Sequence, residues 1–212
     1  MAGIISSLVA NWEDFEAQHK GASIEDFCRY YLLREREKSG FEGLAGGVIP
    51  PYTDALLMKV ISRLGLIFLI YRTQALEETE LDNPEGFPFL NALKHLGESK
   101  KTDVINYNLT EISTGIDILN RLKAQELISE RPDESDRRSK LVKITFKGES
   151  VLQECYLKMH VVGKILLGGM GEDEKMLCVQ LLKNVEIKHA KLATETKGKT
   201  LAEILKIAEQ LG

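Results

Sequence analysis

Apolar residues recur along most of this chain with the 3.6-residue period of a helix. In residues 6–20 they fall at Leu8, Val9, Trp12, Phe15 and Ala17, one amphipathic helix that Gly21 ends. Ser23, with Asp26 three residues on, marks the start of a second helix reaching about residue 38. Residues 39–51 break the pattern with Gly40, Gly43, Gly46, Gly47, Pro50 and Pro51, and predict a loop or linker. A long helix is predicted over 53–80. Its apolar residues Leu57, Val60, Leu64, Ile67 and Tyr71 step alternately by three and four, a two-heptad seam that Ile61 and Phe68 broaden. At about 1.5 Å per residue that helix is roughly 40 Å long. So long a helix with so wide an apolar stripe needs either a large core or a second subunit.

From Phe87 the predicted helices shorten. Pro88 fits the first turn of a helix carrying Leu90, Leu93 and Leu96, with Gly97 as its C-cap. Residues 102–107 form a second short helix around Val104 and Ile105. Asn108, with Glu111 three residues on, resembles a capping box at the head of a third. That third helix runs to about residue 125, with Ile112, Ile116, Leu119 and Leu122 on its inner side. Thr110, Ser113, Thr114, Asp117 and Arg121 lie on its opposite face. The period then falls to two, and 127–131 and 141–145 read as strands joined by a polar turn over 132–139. Thr145 can cap a helix running towards Leu167, Gly168 and Gly169 interrupt it, and two more helices follow over 172–196 and 201–211.

The chain has 212 residues, with 28 Lys+Arg against 32 Asp+Glu and a net charge of −4. That balance argues against a surface that is basic throughout, but the charge is unevenly placed. Residues 1–87 hold 8 basic and 14 acidic residues, whereas 136–147 hold Arg137, Arg138, Lys140, Lys143 and Lys147 against Asp136 alone, a net +4. Three short helices followed by a hairpin with a basic tip is the layout of a winged helix-turn-helix. An α-helix fits the major groove of DNA, and a basic hairpin tip can reach the neighbouring minor groove. The expected fold class is therefore mainly α with a small β-hairpin wing.

Other chemistry is sparse. Cys28, Cys155 and Cys178 are far apart and odd in number, which predicts a reducing, cytoplasmic setting and no disulfide framework. His19, His95, His160 and His189 have no metal-ligand spacing, so no metal and no cofactor is expected. The N-terminus lacks the features of a secretory signal. The most apolar run, 64–71, lies between Arg63 and Arg72 and is far too short to span a bilayer, so no membrane association is expected. No nucleophile elbow, phosphate-binding glycine loop or spaced carboxylate pair is present in the sequence, and the chain does not read as an enzyme.

The run over 119–148, LNRLKAQELISERPDESDRRSKLVKITFKG, resembles the MarR family of bacterial transcriptional regulators. The matching residues are Arg121-Leu122, Leu127-Ile128, Asp133 with Asp136-Arg137-Arg138, and Ile144-Thr145 with Gly148. The match extends over roughly 87–152. The resemblance implies an N-terminal helical extension and linker (1–50), a long dimerisation or core helix (51–84), a winged helix-turn-helix (85–150) and C-terminal dimerisation helices (151–212). It further implies a homodimer on double-stranded operator DNA. Thr110, Ser113, Thr114, Asp117 and Arg121 would belong to the recognition helix, and Asp136, Arg137, Arg138 and Lys140 to the wing, with Asp136 orienting Arg138. Members of the family respond to small aromatic or acidic effectors. Two departures stand out: Gly115, Ile116 and Asp117 occupy positions where the family offers Ser, Thr or basic residues, and Glu126 stands where a glycine turns the chain into the wing. Asp117 and Ile116 leave a rival from another class, a winged-helix protein-interaction module without DNA binding. A second rival is an enzyme on a helical scaffold with an appended winged helix.

Overall fold

A computed structural model describes residues 3–37, 43–136 and 139–209. The chain divides into two compact units, Met1–Leu64 and Gly65–Gly212. In the first, helices α1 (Ile4–Gln18) and α2 (Ile24–Glu37) meet through an aromatic cluster. Phe15 and Phe27 are buried, and the Trp12 ring stands edge-on to Phe27 at 5.1 Å between centroids. The Ser23 cap forms as the sequence indicates: its hydroxyl accepts from the Asp26 N–H, and the Asp26 carboxylate accepts from the Ser23 N–H. Of the expected linker, residues 39–42 lie outside the described residues, as does residue 38 before them; the rest holds one 3-10 turn, Leu44–Gly47, before helix α3 (Thr53–Leu76).

Helix α3 ends four residues earlier than its apolar stripe predicts. The Thr79 hydroxyl and backbone N–H both donate to the Leu76 carbonyl, so a turn replaces the next helical hydrogen bond. The second unit continues with α4 (Gly86–Leu96), β1 (Ser99–Lys100), α5 (Lys101–Tyr107), α6 (Ile112–Ala124), β2 (Ile128–Pro132), β3 (Lys140–Ile144), α7 (Phe146–Leu167), α8 (Glu172–Thr196) and α9 (Leu201–Glu209). Gly97 closes α4 at φ +72° and ψ −149°, a conformation open essentially to glycine alone, and its N–H donates to the Leu93 carbonyl. Thr145 caps α7 by accepting from the Gly148 N–H at 3.0 Å. The Glu174 carboxylate accepts from the Gly171 N–H at the head of α8.

The sheet is antiparallel in the order β1-β3-β2, with Glu130 opposite Val142 and Ser99 also opposite Val142 from the other side. The β1 strand was not expected, because two residues are too few to display a period. The core lies among α4, α5, α6, the sheet and the first half of α7: Leu90, Leu93, Ile105, Leu119, Leu122, Leu127, Val142 and Leu152 are almost completely buried. Burial of Cys155 in this core pushes its thiol pKa up, and the nearby Glu154 carboxylate pushes it the same way. Helix α8 differs sharply. Leu192 and Thr196 are its buried residues, while Met176, Val179, Leu181, Val185 and Ile187 are exposed.

Candidate nucleic-acid interface

Helix α6 is held against α5 by the absence of a side chain at one position. A Cβ at Gly115 would stand 2.5 Å from Ile105 Cγ1, so only glycine permits the two backbones to approach this closely. That contact fixes the rotation of α6. Gly115, Ile118, Leu119 and Leu122 face inward. At about 100° per residue, Ser113, Asp117, Asn120 and Ala124 then stand on the outward face, all exposed. The expected inner side is corrected accordingly: Leu119 and Leu122 are buried, but Ile112 and Ile116 are 43% and 39% exposed. Gly115 carries no hydrophobic signal, so the apolar pattern alone rotates the helix in the wrong direction. The same error hid Asn120, whose amide can pair with an adenine edge.

The remaining candidate positions separate. Ser113 and Asp117 lie at the centre of the outward face, and Arg121 is exposed on its flank. Thr114 turns instead towards a cavity of about 230 Å³ that it shares with Arg72, Glu85, Phe89, Asn108 and Ile118. Thr110 belongs to the turn before α6. Its hydroxyl donates to the Asn108 carbonyl at 3.1 Å, and its own carbonyl accepts from Lys197 Nζ at 3.1 Å. The expected capping box is absent at this point: Asn108 instead ends α5, its amide donating to the Val104 carbonyl.

The wing turn is organised by Asp133, a buried carboxylate. It accepts from the Ser135 N–H at 2.9 Å, the Ser135 hydroxyl at 2.6 Å and the Ser139 hydroxyl at 3.1 Å. These hydrogen bonds, with Lys100 nearby, hold its pKa down to about 2. Asp136 lies 3.5 Å from Lys100 Nζ. Arg137 and Arg138 lie outside the described residues, and the expected Asp136–Arg138 pairing lies there with them. At the turn end of the wing, Arg131 grips Glu98 with two parallel hydrogen bonds of 2.8 and 2.6 Å, tying β2 to the segment before β1. Lys140, expected on DNA, pairs with Glu130. Entry into the wing explains one departure from the family pattern: Glu126 adopts φ +61°, the left-handed conformation a glycine would take without strain.

Residues 89–148 match the winged helix DNA-binding domain family. The chain is 28% identical over 99 residues to the HTH-type transcriptional repressor NicR of Pseudomonas putida, a match covering 47% of this chain and 63% of that relative's length. It superposes on a mutant of MarR from E. coli complexed with operator DNA, with TM-score 0.55 and 20% identity, covering 61% of this chain and 92% of the other. It also superposes on the organohalide-sensing RdhR regulator in its 2,4-dichlorophenol-bound form, with TM-score 0.58 and 20% identity, covering 66% and 83%. The second unit therefore carries a winged helix DNA-binding domain. The fold in which it sits is that of the MarR-family regulators, as the wing residues indicated.

Proposed function

We propose that this chain is a sequence-specific, DNA-binding transcriptional regulator of the MarR type, acting as a homodimer in the cytoplasm and not as an enzyme. One observation carries the reading. Helix α6 presents Ser113, Asp117 and Asn120, with Arg121 on the flank, on a face that the fold leaves unused, beside a wing whose turn is fixed by Asp133. Polar groups on a rigid, exposed helix beside a basic hairpin suit a major groove and its neighbouring minor groove. The operator-bound neighbour shares this fold.

Dimerisation rests on the apolar residues that the monomer leaves in water. Leu57, Met58 and Leu69 of α3, Leu157 and Ile165 of α7, and Val179, Leu181 and Val185 of α8 are all at least 42% exposed. A second copy is the partner that would cover them. Among the described residues no helix is long and apolar enough to cross a membrane.

The cavity beside α6 is the candidate effector site. Arg72 reaches it, and its Nε is buried without a hydrogen-bond partner. Burial lowers the pKa of this guanidinium, the Glu85 carboxylate on the cavity wall raises it in part, and Nε remains open to an anionic ligand. A small aromatic carboxylate fits both the charge and the Phe89 wall. Benzoate-type acids should raise the thermal midpoint of the wild type and leave Arg72→Met unmoved; equal shifts in both would discard the site.

Asp117 on the outward face of α6, with the partly exposed Ile116 on its flank, favours the rival reading, a protein-docking winged helix. A salt titration separates the two. A regulator that neutralises several phosphates loses DNA affinity steeply as salt rises. Binding to random duplex that is undetectable at about 50 mM salt would favour the docking module.

A further inference from the structure

Glu130 stands near the middle of β2 with its side chain 6% exposed, among three cations drawn from three other elements. Lys101 Nζ, from the first residue of α5, lies 2.7 Å from one carboxylate oxygen. Lys140 Nζ, from the start of β3, lies 2.5 Å from the other, and Lys123 Nζ, from the end of α6, lies 3.5 Å from that same oxygen. Hydrogen bonds from Lys101 and Lys140 hold this carboxyl down to about 2, so it is charged at any physiological pH. The side chain therefore fastens the wing to both helices of the helix-turn-helix at one point. It also engages three ammonium groups at once, Lys101 largely buried and Lys123 and Lys140 with side chains 50% and 59% exposed.

We propose that Glu130 is the positioning residue that sets sequence specificity at the DNA interface, by fixing the wing against α5 and α6 and by withholding three lysines from indiscriminate phosphate contact. The proposal rests on the DNA-binding reading above. Without the carboxylate, three like charges face one vacated site and repel one another. They swing outward, where each can take a phosphate, and the wing loses its registration with α6. Affinity for arbitrary DNA then rises while affinity for the preferred site falls. A role in stability alone would lower both together.

The test uses the full chain and two duplexes: one enriched from a random pool by the wild type, and a scrambled control. Binding is followed by fluorescence anisotropy from about 50 to 300 mM salt. In Glu130→Gln the enriched duplex should bind roughly tenfold more weakly and the scrambled one several-fold more tightly. The slope of log K against log salt on the scrambled duplex should steepen by about 0.9 for each freed lysine that finds a phosphate. An unchanged ratio between the two duplexes overturns the proposal, as does a parallel loss on both. Where Glu130→Gln does not fold, Lys101→Gln and Lys140→Gln decide. Pinned lysines predict weaker binding to the enriched duplex with an unchanged salt slope. A slope shallower by about 0.9 would make the lysine itself a phosphate contact and overturn the clamp. Failure of the wild type to enrich any duplex removes the DNA-binding reading itself, a result distinct from every outcome in the variants.

Discussion

The winged helix body and helix α8 belong to the same compact unit but satisfy their apolar residues in opposite ways. Helix α4 buries Phe89, Leu90, Ala92 and Leu93 within eleven residues, and α6 buries Ile118, Leu119 and Leu122. Helix α8, at 25 residues, buries Leu192 and Thr196 and leaves Leu181, Val185 and Ile187 in water. The body closes its core within one chain. Helix α8 also carries a row of large apolar residues, but among the described residues nothing covers Leu181, Val185 or Ile187. Pattern alone reports which residues want burial; it does not report whose surface buries them.

Substitutions at matched leucines give the largest expected contrast. Leu119→Ala should destabilise the body by about 2–5 kcal/mol, because a fully buried side chain leaves a cavity. Urea unfolding should show that loss at every protein concentration. Leu181→Ala should instead weaken self-association, so its effect should fade at high concentration. A concentration-independent loss at Leu181 would break the comparison.

Acid should act on the body next. The pKa values of Glu130 and Asp133 are depressed to about 2 when folded, from ordinary values near 4.5 and 3.8. Their contribution is complete above pH 4.5 and is lost as pH falls towards 2. Thermal melts across that window should show the wild type losing stability more than Glu130→Gln does. Equal losses would mean that Glu130 is not held as its three lysines imply.

Gly115→Ala tests the contact that sets the rotation of α6. Helix propensity favours alanine by about 1 kcal/mol. The Cβ would stand 2.5 Å from Ile105, and overpacking of that kind costs about 1–3 kcal/mol. The expected sign is a net loss of stability; a gain would mean that α5 and α6 are less closely packed.

Much of this architecture was legible in the sequence. The Ser23–Asp26 cap, the Gly97 C-cap, the Thr145 cap and the bounds of α8 all follow from local chemistry, and local chemistry is what a sequence displays. The failures are non-local. The rotation of α6 depends on Ile105 filling the space above Gly115, and Ile112 and Ile116 looked like core residues only because that contact was hidden. Asn120 was missed for the same reason. Glu130 was passed over because its three lysines are 29, 7 and 10 residues away in the chain, and strand alternation does not identify partners on helices. Thr110 looked like part of the helix face, but Lys197, 87 residues on, holds its carbonyl.

Glu126→Gly sharpens the local side of the comparison. Relief of a left-handed non-glycine residue gains about 1–2 kcal/mol, and the freer unfolded chain takes back up to about 1. A net stabilisation of up to about 2 kcal/mol is expected from urea unfolding, and a loss would assign the Glu126 side chain a contact of its own.

The smallest expected effect lies where the two regions meet. Lys197, just past α8, donates to the Thr110 carbonyl and pairs with Glu111 at 3.1 Å, at the head of α6. Exposed pairs of this kind contribute about 0.2–1 kcal/mol. Lys197→Ala should therefore weaken binding to an enriched duplex by less than about fivefold, with an unchanged salt slope. A shallower slope would make Lys197 a phosphate contact.

Selection of bound sequences from random duplex DNA by the full chain tests the central claim most directly, because it reads DNA recognition and pairing through the long helices together. The expected result is a pseudo-palindromic site whose half-sites are centred about 10 base pairs, or a small multiple of that, apart, matching two α6 helices related by a two-fold axis. A pool that shows no enrichment, or a single half-site without a symmetric mate, would contradict it.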